Sequence, residues 1–318
     1  MARPRIAFVA GDPNGIGPEL SAKLLARPGN VEAAEVVVYA DPRVIAEGER
    51  VAGVRACIGP GAAALRPQAW EGAITPGQAT ESGGRAALGA LNAAAGAAQR
   101  GEVDGIVFAP LNKHALRLAG MTHEDELRML QQRFGVAGFV SEFNITGDLW
   151  TSRVTSHVPL RDVAAAITEE GVVQAVEIVH RYLVAAGRAS PRIAVTGLNP
   201  HAGDGGSIGR EEIDVIAPAI ERARAQGIDA RGPMPSDTVF VAARRGDYDA
   251  VVTMYHDQGQ IAMKLMGFDK GVTLHGGLPV PIATCASGTA FDIVGRNAGN
   301  VEGLQHAFDL AVAIASRR

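Results

Sequence analysis

The stretch RIAFVAGDPNGIGPELSAKLLA, residues 5–26, decides the fold class. Its first residues form a short apolar run before a turn rich in Gly and Pro, which predicts a buried strand over Arg5–Ala10. A helical pattern follows over Glu19–Ala26, with an acidic residue in the first helical turn. A buried strand that leads through a tight turn into a helix is the repeating unit of α/β folds.

The same alternation continues along the chain. Apolar, β-branched runs predict strands, and the longer stretches between them predict helices. The further predicted strands are Glu35–Tyr39, Gly105–Phe108, Arg153–Thr155, Arg192–Gly197 and Ala250–Met254. The further predicted helices are Ser82–Arg100, Leu160–Ala165, Glu169–Ala186, Arg210–Gln226 and Leu304–Ser316. We therefore expect an α/β fold with mainly parallel strand pairing.

Composition excludes several classes of protein. The 318 residues are 47% apolar and 20% charged, with a formal net charge of −4, which gives no reason to expect nucleic acid or a membrane as partner. An anionic substrate must therefore be bound by local cations. No apolar run is long enough for a signal peptide or a spanning helix. Cys57 and Cys285 stand far apart and outside any CxxC pattern, which indicates a reducing, cytoplasmic location.

Three histidines follow predicted strands in turn-forming contexts. His157 follows SRVTS, His201 follows IAVTGLNP, and His256 follows AVVTMY. Ligands of open α/β sheets bind at the carboxyl ends of strands, and three imidazoles can hold a divalent ion while leaving an open position for substrate. Asp204 and Asp257 stand nearby and could orient the rings. The alternative is that each is a turn histidine with hydrogen-bonded nitrogens, because the spacing matches no compact zinc motif.

Two lysines and one glycine-rich turn also carry possible chemistry. Lys113, in APLNK, could bind a carboxylate or transfer a proton, or it could be solvated at a helix start. Lys264 lies eight positions after His256 and either reaches the same site or extends into solvent. GDPNGIGPE is either a phosphate-binding turn or a plain strand-to-helix turn, and two prolines that remove N–H donors favour the plain turn.

The segment GTAFDIVGR near the carboxyl end could bind a cofactor. Gly288 and Gly295 would allow close approach of the ligand, with Thr289 between them. Asp292 could meet a ribose hydroxyl, or it could be an acid at the N-terminus of a helix.

Together the motifs resemble the 4-hydroxythreonine-4-phosphate dehydrogenase (PdxA) family. The motifs occur in the family's order and span nearly the whole chain: GDPNGIGPE, APLNK, TSHVPLRD, GLNPHAGDGG, PMPSDTVF, MYHDQG and GTAFDIVGR. The resemblance implies a two-domain α/β/α fold similar to isocitrate and isopropylmalate dehydrogenases, with the active site in the interdomain cleft. It also implies a homodimer with shared active sites and a small-molecule carboxylate as substrate.

The resemblance also implies roles for individual residues. His157, His201 and His256 would hold one divalent ion (Zn²⁺, Mg²⁺, Mn²⁺ or Co²⁺), with His256 the candidate for the ligand supplied by the partner subunit. The family chemistry is oxidation of a secondary alcohol β to a carboxylate by NAD or NADP, which gives a β-keto acid prone to decarboxylation. We expect Lys113 and Asp257 to be catalytic.

The implied domains divide the site between them. Residues 1–120 with 285–318 would form the domain that contributes the cofactor site, and residues 121–284 the domain that contributes the metal site and dimer contacts. The cofactor would be bound by four residues of the first domain, Gly288, Thr289, Asp292 and Gly295.

Departures from the family bear on substrate. The predicted substrate contacts are His123, Glu124, Lys264, Thr273 and Ile282. Thr273 and Ile282 stand where the family carries asparagine and arginine, and Ser287 replaces a histidine. Losing a guanidinium while gaining an acid should weaken phosphate binding. We therefore expect an unphosphorylated diol acid of the terephthalate cis-dihydrodiol type, followed by decarboxylation.

Three other functions remain open. The first is oxidation of 4-hydroxythreonine 4-phosphate in pyridoxal phosphate biosynthesis, or of the 4-phosphate of threonate or erythronate. The second is a metal-binding homologue without catalysis, because the cofactor segment is altered. The third is an acyl or phosphate transferase, which would not need His201 or His256.

Overall fold

The computed structural model describes residues 3–267 and 270–317. The chain divides into two compact units. Unit 1 comprises Met1–Ala137, Asp269–Leu274 and Leu278–Arg318, and unit 2 comprises Gly138–Phe268 and His275–Gly277. The predicted domains differ from these units mainly in residues 121–137, which lie in unit 1.

Strands and helices alternate, in agreement with the predicted α/β class. The strands are β1 Arg5–Val9, β2 Glu35–Ala40, β3 Ala64–Pro67, β4 Gly105–Phe108, β5 Ser141–Thr146, β6 Leu149–Arg153, β7 Arg192–Thr196, β8 Asp229–Met234, β9 Ala250–Thr253, β10 Val272–Gly276 and β11 Ile282–Cys285. The α-helices are α1 Gly17–Leu25, α2 Pro28–Ala33, α3 Pro42–Ala52, α4 Glu81–Gln99, α5 Lys113–Leu118, α6 Glu126–Phe134, α7 Val163–Ala166, α8 Glu169–Ala185, α9 Ala217–Ala225, α10 Ser236–Arg244, α11 His256–Gly267 and α12 Glu302–Ala315. Within the described ranges, no helix has both the length and the hydrophobicity needed to cross a bilayer.

In unit 1, five parallel strands pair in the order β3-β2-β1-β4-β11. β1 lies between two neighbours, with Ile6 opposite Val36 on one side and Gly105 on the other. The side chains from Ile6 to Val9 have no accessible surface. A strand covered on both faces is apolar at successive positions instead of alternating, which explains the continuous apolar run that the sequence shows.

In unit 2, the strands pair in the order β5-β6-β9-β7-β8; the β5–β6 hairpin is antiparallel, and the β6–β9, β9–β7 and β7–β8 pairs are parallel. Arg153 of β6 lies opposite Thr253 of β9, and Val195 of β7 opposite Val252. The carboxyl ends of β6, β9 and β7 therefore lie at one edge. The prediction of a strand over Arg153–Thr155 was wrong in its bounds, because β6 begins at Leu149 and ends at Arg153.

An arginine–aspartate pair holds the amino end of one central strand in each unit. The backbone N–H and guanidinium of Arg5 donate to Asp104 over 2.7 to 3.0 Å. The corresponding groups of Arg192 donate to Asp249 over 2.8 to 3.3 Å. The bonds from Arg5 lower the pKa of Asp104 below its usual value. In each unit, an ion pair thus holds the amino end of a central strand, and loops follow the carboxyl ends of the strands.

Helices α4 and α5 pack closely together because the residue of α4 that faces α5, Gly84, has no side chain. A Cβ on Gly84 would lie 2.0 Å from the carbonyl oxygen of Ala115, whereas a Cβ on the exposed Gly89 would have no neighbour within 4 Å. Gly84→Ala should therefore lower stability by about 1–3 kcal/mol, because the backbones must separate. Gly89→Ala should raise stability by about 0.5–1 kcal/mol, because alanine favours helix. Urea unfolding midpoints measure both, and equal effects would contradict the close contact.

Candidate active site

Pairing between β6 and β9 continues past the strand ends and brings two histidines together. The backbone N–H of Val154 donates to the Thr253 carbonyl over 2.9 Å, and the N–H of Thr155 donates to the Met254 carbonyl over 3.1 Å. The Thr155 hydroxyl donates to the same Met254 oxygen over 2.8 Å. His157 and His256 follow directly, and their ring centres lie 5.6 Å apart.

The ring of His256 is oriented by its neighbour in sequence. Nδ1 of His256 lies 2.6 Å from Oδ1 of Asp257. With Asp257 ionised, the proton resides on Nδ1 and Nε2 presents its lone pair, which is the tautomer that binds a metal ion. Asp257 itself is 72% exposed. Its position is that of a group that orients an imidazole, as the sequence analysis also expected.

The donor set of the two rings fits a divalent ion. Two imidazoles on one ion have nitrogens about 2.1 Å from it, which places their ring centres roughly 5 Å apart. The 5.6 Å between His157 and His256 is close to that separation. Among the described residues, the ligand atoms of His157, His201 and His256 do not all lie within 4.8 Å of one another. The chain brings together two of the three predicted ligands.

His201 lies in a left-handed turn after β7. The turn Pro200–Gly206 has positive φ at every residue from His201 to Gly206, with 53° at His201 itself. Asp204, which the sequence suggested as a partner for the ring, instead accepts a hydrogen bond from the Ser207 hydroxyl over 3.0 Å.

A buried carboxylate holds the start of this turn. Oε1 of Glu212 accepts from the backbone N–H groups of Leu198 and Asn199, both over 2.7 Å. Oε2 accepts from Nδ2 of Asn199 over 3.0 Å. Burial would raise the pKa of Glu212, but the bonds from Asn199 and Leu198 outweigh it and lower the pKa below its usual value.

Gln258 joins the strand ends that precede two of the histidines. Its Oε1 accepts from the Thr196 hydroxyl over 2.8 Å and from the Met254 N–H over 2.7 Å. Its Nε2 donates to the Gly197 carbonyl over 2.8 Å. The ends of β7 and β9 are thus linked by one amide. Sequence reasoning missed Gln258 and Glu212, although Gln258 stands inside the MYHDQG motif.

In unit 1, three of the motifs meet around Thr289. The N–H of Ile16 donates to the Thr289 carbonyl over 3.0 Å, and Nδ2 of Asn112 donates to the Thr289 hydroxyl over 3.2 Å. A Cβ on Gly15 would lie 2.7 Å from Cβ of Thr289. Lys113 is the exposed first residue of α5, next to Asn112. The predicted catalytic lysine and the predicted cofactor segment therefore lie near one turn.

The rest of the predicted cofactor segment is exposed. Gly288 is exposed with open space around its Cβ position, and Gly295 has a φ of +78°. Asp292 is exposed in a turn, so the alternative that placed it at the N-terminus of a helix is wrong.

The predicted substrate residues differ in exposure. Glu124 and Lys264 are exposed, and the ring of His123 contacts the Gln132 side chain. Thr273 is 7% exposed. Ile282 lies in β11 opposite Ile106 with no accessible surface, so its side chain does not present itself to a ligand.

Asp12, in the turn after β1, is the most perturbed acid of unit 1. Its Oδ1 accepts from the Asn14 N–H over 2.9 Å, while Oδ2 is buried without a hydrogen-bond partner. Burial raises the pKa of Asp12 to about 6, and the bond from Asn14 offsets only part of that effect. Sequence analysis assigned no role to this residue.

This chain is similar to known proteins over nearly its whole length. The profile of the family described as "Pyridoxal phosphate biosynthetic protein PdxA" matches residues 31–311. A Pseudomonas aeruginosa relative, provisionally named 4-hydroxythreonine-4-phosphate dehydrogenase 2, is 48% identical over 97% of this chain and 96% of its own. The crystal structure of 4-hydroxythreonine-4-phosphate dehydrogenase from Klebsiella pneumoniae is 34% identical over 98% of both chains, with a TM-score of 0.83. That of a terephthalate 1,2-cis-dihydrodiol dehydrogenase from Burkholderia xenovorans is 29% identical over 98% of both chains, with a TM-score of 0.71.

The expectation of an unphosphorylated dihydrodiol acid, with decarboxylation, is wrong. The relatives at 48% and 34% identity are named for 4-hydroxythreonine 4-phosphate, and the dihydrodiol dehydrogenase is less similar in sequence and in structure. The expectation depended on Thr273 and Ile282 standing in place of an asparagine and an arginine, and on an added acid at Glu124. Ile282 is a core residue of β11, so its own side chain does not contact a ligand.

The raised pKa of Asp12 predicts how stability changes with pH. Asp12 binds its proton more tightly in the folded chain, at about 6 against an ordinary 3.8. The free energy of unfolding should therefore fall as pH rises from 4 to 6, by about 3 kcal/mol at most. This contribution is absent in Asp12→Asn. The free energy of unfolding of the variant, measured with urea, should therefore increase relative to that of the wild type as the pH rises from 4 to about 6.

Asp104→Asn is the control of opposite sign. Its carboxylate has a lowered pKa, so its contribution is present at neutral pH and is lost as the solution becomes acidic. A stability difference between wild type and Asp12→Asn that stays constant from pH 4 to 7 would contradict the assignment.

Proposed function

Because the chain belongs to the PdxA family, we propose that it oxidises 4-hydroxythreonine 4-phosphate with NAD or NADP. Members of the family are NAD-dependent dehydrogenases that act on CH–OH groups and use a divalent metal ion. The oxidised carbon is the secondary alcohol β to the carboxylate. The observation that carries the proposal is the pair His157 and His256 at the carboxyl edge of unit 2.

His157, His201 and His256 would hold the metal ion in this proposal. An ion held by these residues would supply polarisation of the alcohol oxygen, which would make its proton easier to remove. By accepting from Nδ1, Asp257 would select the neutral tautomer of His256 in which Nε2 is the ligand atom. Hydride transfer to the nicotinamide requires orientation from the protein, which the exposed segment around Gly288 and Asp292 would supply. Lys113, at the start of α5, is the candidate to accept the alcohol proton, which requires its side chain to be in the neutral amine form.

A second copy of the chain would complete the metal site. His157 and His256 already lie side by side in one chain, while His201 is not grouped with them. The sequence predicts His256 as the ligand that a partner subunit contributes, and because His201 is not grouped with the other two we propose it as a second candidate. The proposed enzyme is thus a homodimer with shared sites.

Substrate choice is tested by comparing three acids. NADH formation is followed with 4-hydroxythreonine 4-phosphate, with threonate 4-phosphate and with unphosphorylated 4-hydroxythreonine, and CO2 release is measured separately. The first should exceed the unphosphorylated acid in kcat/KM by on the order of 100-fold, because charge-assisted bonds to phosphate are strong. Equal rates would overturn the proposal. Faster turnover of threonate 4-phosphate would reassign the substrate and keep the phosphate.

The metal ligands are tested by substitution. His201→Ala should abolish turnover and metal binding in calorimetry while the circular dichroism spectrum stays that of the wild type. His306→Ala removes an exposed histidine of α12 and should leave both unchanged. Full activity in His201→Ala would show that this residue is no ligand.

A further inference from the structure

The turn that carries His201 has a backbone that its residues do not favour. His201, Ala202 and Asp204 all have φ between 45° and 54°. L-residues avoid this left-handed region because Cβ approaches the following carbonyl oxygen, and they occupy it as single residues, seldom in succession. Contacts from outside the turn must therefore maintain this conformation.

Glu212 supplies contacts at both the entry and the middle of the turn. At the entry, its carboxylate accepts three hydrogen bonds from Leu198 and Asn199. In the middle, a Cβ on Gly203 would lie 2.6 Å from Oε2 of Glu212, so the backbone passes directly over the carboxylate. A Cβ on Gly197 would lie 2.9 Å from Oε1. With 2% of its surface exposed, Glu212 fills the space that the turn encloses.

We propose that Glu212 is a positioning residue that fixes the imidazole of His201 in the orientation needed to bind the metal ion. It acts through the turn and is not itself a ligand, because its oxygens are buried and already accept N–H groups. The inference deepens the proposed function and rests on it. Groups that orient a metal ligand typically change metal affinity by on the order of 10- to 100-fold when removed.

Glu212→Gln tests this role with little change in side-chain volume. The amide oxygen can still accept from Leu198 and Asn199, but the new NH2 group faces the Nδ2 donor of Asn199, so that contact is lost. Metal-free wild type and variant are titrated with Zn²⁺ by calorimetry, and their thermal midpoints are recorded without metal. The affinity for Zn²⁺ should fall by about tenfold or more in a variant that remains folded.

Two glycines of the same turn provide a matched pair. Gly203 and Gly205 have φ of +81° and +66°, so alanine is strained at either position. A Cβ atom added at Gly203 would contact Glu212. A Cβ atom added at Gly205 would have no atom within 4 Å. Gly203→Ala should lower the affinity for Zn²⁺ as Glu212→Gln does, and Gly205→Ala should lower it much less. This pair decides the question even if Glu212→Gln fails to fold.

The outcomes separate this inference from the proposed function. If wild type does not bind Zn²⁺, or His201→Ala binds it as wild type does, the metal assignment fails and the inference fails with it. If His201→Ala loses binding while Glu212→Gln and Gly203→Ala retain it, only the positioning role is overturned. Equal losses at Gly203 and Gly205 would also overturn it, because backbone strain would then explain the effect without Glu212.

Discussion

Parallel pairing of β6, β9 and β7 is the constraint on which the rest of the site depends. Parallel strands run in one direction, so every loop that follows their carboxyl ends leaves from one edge of the sheet. Arg192 at the amino end of β7 donates hydrogen bonds to Asp249, which directly precedes β9. These bonds fix the register of β7 against β9. That register determines the positions of the histidines that follow the strands. Gln258 links the carboxyl ends of β7 and β9 directly by hydrogen bonds.

Much of this arrangement could be predicted, because it is encoded locally. The bounds of β4, Gly105–Phe108, were predicted correctly, because its short apolar run can be recognised from the sequence of those four residues. The placement of His157 and His256 after strands was also predicted, whereas the pairing of those strands as neighbours was not. Elements that lack such a pattern were missed, among them the β5–β6 hairpin and the helix α11, whose first residue is His256.

What could not be predicted depends on contacts between distant residues. Ile282 appeared to replace a substrate arginine, yet only the pairing of β11 with β4 reveals that it lies in the core. Glu212 gave no sequence signal, because a glutamate at the start of a helical pattern is ordinarily solvated. Its function becomes visible only when the turn folds over it. The substrate prediction was wrong because single-residue departures from a family pattern do not show which side chains contact the substrate, whereas the relatives are named for the phosphorylated acid.

The left-handed turn also limits how this chain can change in length. A 3₁₀-type turn rotates by about 120° for each residue, so one insertion or deletion between β7 and Glu212 would aim the His201 ring in a different direction. The same change in an exposed loop such as the one after α3, where Gly53 and Arg55 are exposed, should leave the direction of the His201 ring unchanged. We therefore expect the length of the segment from residue 197 to residue 212 to be constrained by the orientation of His201.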